Sequence, residues 1–315
     1  MINPSTTKGA IMVWIDARRA DRWASSCVGA AADVVELLFP QPCAVCGGGN
    51  RALCPVCRAF VYRLTARPRD VATALPQWSP QTPCIAAGLY GHEVARAILA
   101  FKGQQRLDLV PFLARALARA ISEALRSLQP EFSGRYGGRG TDREAPVLLV
   151  PAPSRALAYR RRGFVPGEIL ARRVLNEMDK TTRGESVPDV RVAPVLKIRE
   201  PLVARLGTLL DPSSSGQKGL NAHRRSERLR DSMHILGPSW LPSRWFWPEM
   251  SGRDCLLIDD VATTGSTLRE MRRAIHAAGG RVHGAAVVAS VSAPTEKPLK
   301  NLEELGEGRM TKGSV

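Results

Sequence analysis

Apolar positions recur along this chain at two periods, and each change of period marks a new element. Residues 16–38 set Trp23, Cys27, Ala30, Ala31, Val34, Val35 and Leu38 on one side, which predicts a helix that Pro40 and Pro42 end. Residues 66–83 hold four prolines and read as a linker. Residues 84–90 (CIAAGLY) then read as a short strand. Residues 92–102 and 107–128 read as helices, the second long and apolar at three- and four-residue intervals. Residues 147–150 (VLLV) are an unbroken apolar run, the pattern of a strand covered on both faces. Pro166 suits the first turn of a following helix, and residues 190–196 (VRVAPVL) are a further strand candidate.

Near the C-terminus the periods alternate cleanly. Residues 255–258 predict a strand. Residues 266–278 predict a helix with Leu268, Met271 and Ile275 on one face and Gly279 and Gly280 at its end. Residues 282–290 predict another strand. Strand, helix and strand at this spacing form a βαβ unit, so the fold class is α/β with a parallel sheet flanked by helices.

Composition narrows the partners. The chain has 315 residues and a formal net charge of +16, which favours anionic ligands: phosphorylated small molecules, nucleic acid or an anionic membrane surface. An Arg-rich composition bias gives the same number without any such partner. Asp16, Arg18, Arg19, Asp21 and Arg22 interrupt the first thirty residues, so no secretory leader is read there. No stretch reaches the roughly 18 apolar residues of a membrane span. The expected compartment is the cytoplasm, where cysteines serve metal binding or burial more often than disulfides.

The stretch LLIDDVATTGST, residues 256–267, carries the chemistry. In an open parallel sheet, ligands bind beyond the carboxyl ends of the strands, where Asp259 and Asp260 fall. The backbone N–H groups of residues 263–267 then lead into a helix, a nest that holds a phosphate with help from the helix dipole. The hydroxyls of Thr263, Thr264, Ser266 and Thr267 add donors, and Gly265 permits a backbone turn closed to other residues. An anion pocket beside two carboxylate acceptors suits a phosphate and a vicinal diol on one molecule, as in a ribose 5-phosphate. No Lys follows the glycine, so this is not a Walker A loop. An ordinary capped helix needs one Asp or Ser, not two carboxylates and four hydroxyls.

Two basic segments accompany it. Arg160, Arg161 and Arg162 precede Gly163, and guanidinium forks match the oxygens of a pyrophosphate leaving group. A solvated basic loop reads the same way. Residues 216–228 surround Leu220 with Lys218, His223, Arg224, Arg225 and Arg228, a mobile flap over an anionic ligand or a charged surface helix.

Cys43, Cys46, Cys54 and Cys57 form two C-x-x-C pairs. Two such pairs make a closed tetrahedral S₄ site, which favours a structural Zn²⁺, although spacing alone leaves iron open. Cys27, Cys84 and Cys255 sit singly among apolar residues and read as core thiols.

These motifs together carry a resemblance. LLIDDVATTGST resembles the PRPP-binding motif of type I phosphoribosyltransferases. With VPAPSRALAYRRRGF (residues 150–164), the basic segment GQKGLNAHRRSER and the LLFPQPCAVCG start, the chain resembles the ComF family over about residues 30–290. That family pairs an N-terminal zinc ribbon with a phosphoribosyltransferase-like domain. The resemblance implies a zinc ribbon over 43–65 after a helical segment over 1–42, and a phosphoribosyltransferase-like domain over 84–291; the polar composition of 292–315 reads as a disordered tail. It implies that Asp259 and Asp260 hold the ribose hydroxyls of PRPP and act in catalysis, within a binding motif completed by Val261, Ala262, Thr263, Thr264, Gly265, Ser266 and Thr267. Mg²⁺ then bridges the pyrophosphate. Arg160, Arg161, Arg162, Gly163, Gln217 and Arg225 become the pyrophosphate and flap residues.

The implied function is a PRPP-binding, phosphoribosyltransferase-type protein linked to natural competence. If active, it transfers a ribose phosphate to an acceptor the sequence does not name. The alternative is a non-catalytic adaptor or sensor that binds PRPP and partners of the DNA-uptake machinery, such as a helicase-like translocase or a DNA-loading protein. Single-stranded DNA is a further partner on the basic surface. The chain departs from the family's pattern at Val165, Pro166 and Arg228, and in the Trp-rich stretch 239–250.

Overall fold

The computed structural model describes residues 41–128, 146–181, 188–199, 231–235 and 250–291. The helix expected at 16–38, the basic segment with Gln217 and Arg225, nearly all of the Trp-rich stretch and the C-terminal tail lie outside them.

The apolar runs become strands because both of their faces are covered. β1 (Arg69–Asp70), β2 (Cys84–Leu89), β3 (Val147–Pro151), β4 (Val190–Val192), β7 (Asp254–Ala262) and β8 (Arg281–Ser290) form one sheet in the order β1-β2-β8-β7-β3-β4. All its neighbours run parallel except β1, which pairs antiparallel with β2. Alternate residues of one strand feed opposite cores: Leu256 and Ile258 enter one, Cys255 and Leu257 the other.

The helices fall on both faces. α1 (Pro55–Leu64), α2 (His92–Gly103), α3 (Val110–Ser127) and α5 (Pro166–Thr181) cover the first face. Between β3 and α5 runs the short α4 (Ala156–Arg162). α6 (Ser266–Ala277) covers the second face through Leu268, Met271 and Ile275. The unit β3–α5–β4 steps toward one edge of the sheet and β7–α6–β8 toward the other. Right-handed crossovers then put α5 and α6 on opposite faces, and the carboxyl ends of β3 and β7 flank a topological switch point.

Four expectations change. The 190–196 segment splits: β4 stays in the main sheet, while β5 (Leu196–Ile198) pairs antiparallel with β6 (Met233–Ile235). Pro194 lies between them and cannot donate to a ladder. The expected linker 66–83 is packed structure: it supplies β1, and it buries Leu75 and Trp78 in the second core. The strand expected to end at Ile258 runs on to Ala262. The alternative of a basic loop at Arg160–Arg162 gives way to a helix, α4.

The cysteine module shares the first core through Cys43, Val45, Leu53, Cys57 and Val61. A Cβ on Gly88 of β2 would collide with the Leu64 carbonyl at the end of α1, so glycine permits this close docking. Arg96 and Arg106 donate to the carbonyls of Val45 and Pro42, at 3.0 and 2.8 Å. Among the described residues, no helix is long and apolar enough to cross a membrane.

Candidate functional site

β7 is longer than the strand beside it. β3 pairs with it only as far as Pro151 opposite Ile258, and the Ala152 N–H closes that edge on the Ile258 carbonyl at 2.8 Å. β8 continues on the other side, pairing with Asp259, Val261 and Ala262. Asp259 and Asp260 therefore lie on a strand end that is unpaired toward β3, at the switch point.

Their side chains differ. Asp260 is buried and forms an ion pair with Lys102 of α2, Nζ to Oδ1 at 2.7 Å. Asp259 keeps part of its surface, and its Oδ1 accepts the Asp260 N–H at 2.8 Å. Burial pushes the Asp259 carboxyl well above the usual carboxylate range. The charge of Asp260 adds to this, and Lys102 opposes it. Two carboxyl groups this close in a dry place do not both ionise freely. A ligand that donates hydroxyls or brings positive charge would relieve them.

The turn after β7 is shaped by one close approach. Gly265 has φ +79°, and a Cβ there would lie 2.8 Å from the Trp78 Cβ. The Gln77 N–H donates to the Thr264 carbonyl at 2.9 Å, so the 75–78 segment backs the turn. Gly265 is also the N-cap of α6, and no side chain caps that helix. Its first turn carries no acidic residue to neutralise the dipole, and the Ser266 N–H donates to the Thr264 hydroxyl at 3.4 Å. Thr263 is exposed, and Thr264, Ser266 and Thr267 are partly so. Val261 is partly buried and Ala262 buried at the end of β7.

From the neighbouring strand, α4 brings its arginines to the same end of the sheet. Arg160 and Arg161 are exposed, Arg162 partly so, and Gly163 ends the helix at φ +75°. No distance of hydrogen-bond range links these guanidinium groups to the diacid among the described residues. They flank the switch point and do not touch the aspartates.

Lys102 and Trp78 were not among the sequence candidates. Lys102 is one lysine at a helix end, and Trp78 one aromatic in a proline-rich stretch. Only the packing of α2 and of the 72–82 segment brings them to the site.

The four-cysteine cluster is compact: the Sγ atoms of Cys43, Cys46, Cys54 and Cys57 all lie within 4.8 Å of one another. The second pair opens a helix. Cys54 is the N-cap of α1, and its Sγ accepts the Cys57 N–H at 3.5 Å. Cys43 Sγ accepts the Cys54 N–H at 3.4 Å. Burial raises the Cys43 thiol, but the N–H groups of Cys46, Cys54 and Val45 outweigh it and bring the pKa down to about 6. N–H donors aimed at a sulfur favour thiolate, the form that binds a metal. These residues fit a structural zinc site. Cys84 and Cys255 are fully buried core thiols, and burial raises Cys255 to about 12.

With this geometry in view, residues 247–306 match the phosphoribosyl transferase domain family, well short of half the chain. The domain is phosphoribosyltransferase-like. The matched segment contains the diacid, the nest and α6. No curated protein matches the chain. Among solved structures, a hypoxanthine phosphoribosyltransferase from Trypanosoma cruzi, a mutant in a ternary substrates complex, shares 12% identity over 58% of this chain and 77% of that one, with a TM-score of 0.26. An HPRT with an invariant aspartic acid changed to glutamic acid shares 13%, over 58% and 77%, with a TM-score of 0.25.

Proposed function

We propose that this protein binds PRPP at the β3–β7 switch point and acts as a phosphoribosyltransferase. One observation carries the reading: two adjacent aspartates at an open strand end run directly into an uncapped helix N-terminus, within the segment that matches the phosphoribosyl transferase domain. The nest at residues 263–267 takes the 5-phosphate. Asp259 and Asp260 accept the ribose 2- and 3-hydroxyls. The ribose C1 carbon is then held toward the arginines of α4.

In the transfer, the bond from C1 to the pyrophosphate oxygen breaks and a bond from C1 to the acceptor nucleophile forms. The bonding pair leaves with pyrophosphate. The sugar carries positive charge at the transition state, and the Asp260 carboxylate, held ionised by Lys102, stabilises it. Arg160, Arg161 and Arg162 take up the departing negative charge. Gln217 and Arg225, outside the described residues, are proposed as further partners of the pyrophosphate. Mg²⁺ bound with the pyrophosphate would supply further neutralisation of its charge beside these arginines.

The four-cysteine cluster is proposed as structural zinc. Its union with this domain supports membership of the ComF type, and with it a role beside the cytoplasmic DNA-uptake machinery. Titration calorimetry of the zinc-loaded protein with PRPP tests the core of the reading. Micromolar, Mg²⁺-dependent binding is expected. Absence of binding at millimolar PRPP overturns it.

A further inference from the structure

One short turn joins three parts of the molecule that the sequence keeps far apart. It runs from Phe101 to Arg106, at the end of α2. Phe101 is fully buried, and its ring lies 5.5 Å from that of Phe164, just past the arginine helix α4. Gln105, at φ +57°, donates from Nε2 to the Arg161 carbonyl at 3.1 Å. Arg106 donates to the Pro42 carbonyl beside the cysteine module. Between them, Lys102 reaches Asp260.

The positive φ at Gln105 costs a non-glycine residue free energy, so its side-chain bond to α4 helps to hold the turn. Phe101 fixes the helix end in the core. Lys102 is thus presented from a rigid base. Its side chain is 35% exposed and that of Asp260 only 5%, so a partly exposed ammonium reaches in to a buried carboxylate. A carboxylate held by one ammonium has a fixed orientation. Its remaining acceptor capacity is then available to a ligand without the cost of ordering the carboxylate first.

We propose that Lys102 is a positioning residue of the ribose site: its ammonium holds the Asp260 carboxylate in the orientation that receives the ribose hydroxyls. The inference rests on the ribose-phosphate reading above and extends it to a residue outside the matched segment. The phosphate nest does not depend on this lysine, because it is built from the backbone of residues 263–267 and is braced by Gln77 and Trp78. Lys102 therefore discriminates between ligands with a diol and ligands with a phosphate alone.

The test compares ribose 5-phosphate with inorganic phosphate by calorimetry on the full chain, for wild type, Lys102→Met and Lys102→Arg. In Lys102→Met, affinity for ribose 5-phosphate should fall about tenfold, while inorganic phosphate binds within about twofold of wild type. Lys102→Arg should recover most of the loss. A merely structural lysine would move both ligands together. Equal loss for the two, or no loss for either, overturns the assignment of Lys102 and leaves the ribose-phosphate reading standing. Failure of wild type to bind ribose 5-phosphate overturns both. A melting curve checks folding, and Lys102→Gln replaces the methionine variant if that one unfolds.

Discussion

Gly265 and Trp78 meet so closely that a single added methyl group does not fit between them. The contact joins the phosphate nest to a segment that composition alone marks as a linker. Gly265→Ala forces both a positive φ on a residue with a Cβ and a collision with the backbone-proximal Cβ of a buried tryptophan. A loss of about 2 kcal/mol or more is expected in urea denaturation. Phosphate and PRPP binding should be lost with it. An alanine variant with wild-type stability and binding would show that this turn is not held as described.

Asp259 carries a cost that function would explain. Its carboxyl keeps a proton more tightly in the folded chain than in the unfolded one. A raised acid removes stability as pH climbs from the ordinary aspartate range through its folded value. Asp259→Asn should therefore raise the melting temperature at neutral pH while abolishing PRPP binding. The gain should vanish in acid, where the wild-type group is already protonated. Thermal melts across pH, beside one PRPP titration, check both halves.

Glu270 has the opposite sign. It is buried on α6, accepts the Met233 N–H at 3.0 Å and pairs with Arg273 at 2.8 Å. Burial raises this carboxyl, but the bonds from Arg273 and Met233 outweigh burial and hold it below the usual glutamate value. Its contribution is present above the unfolded glutamate pKa and is lost as pH falls through the lower folded one. Glu270→Gln should cost about 1–3 kcal/mol at neutral pH and flatten the acid limb of the stability curve. Arg273 also donates to the Met233 carbonyl at 2.7 Å, so the variant should loosen the β5–β6 pair first. Hydrogen exchange at residues 233–235 reads that directly.

The cysteine cluster predicts a metal dependence of folding. Cys43→Ser with Cys46→Ser should remove bound zinc, which contributes on the order of 10 kcal/mol of binding free energy in small four-ligand sites. Because Cys43, Leu53 and Cys57 share the core with α3, the damage should spread into the domain. Metal content by mass spectrometry and a melting curve with and without chelator give the outcome. Stoichiometric zinc in the double variant would contradict the four-sulfur site.

The elements of the sheet were legible where a local rule decides them. Val147–Pro151, Cys84–Leu89 and Arg281–Ser290 are strands because continuous apolar runs suit a sheet covered on both faces. The helix after Gly265 was legible from its apolar face. The split of residues 190–198 was not. VRVAPVL looks like one strand until the main sheet runs out of neighbours and the chain past Pro194 finds another partner in Met233–Ile235.

The sequence by itself determined the chemistry on offer: two adjacent carboxylates, a hydroxyl-rich glycine turn, a basic segment and two cysteine pairs. Each is a short stretch whose meaning lies in its own spacing. Only the tertiary structure decided how these parts meet. It ends β3 early beside β7, sets Trp78 behind Gly265, and carries Lys102 across to Asp260. Such contacts depend on the packing of whole helices against a twisted sheet, and the free energy that fixes them is spread through two cores. No local pattern in the chain encodes them.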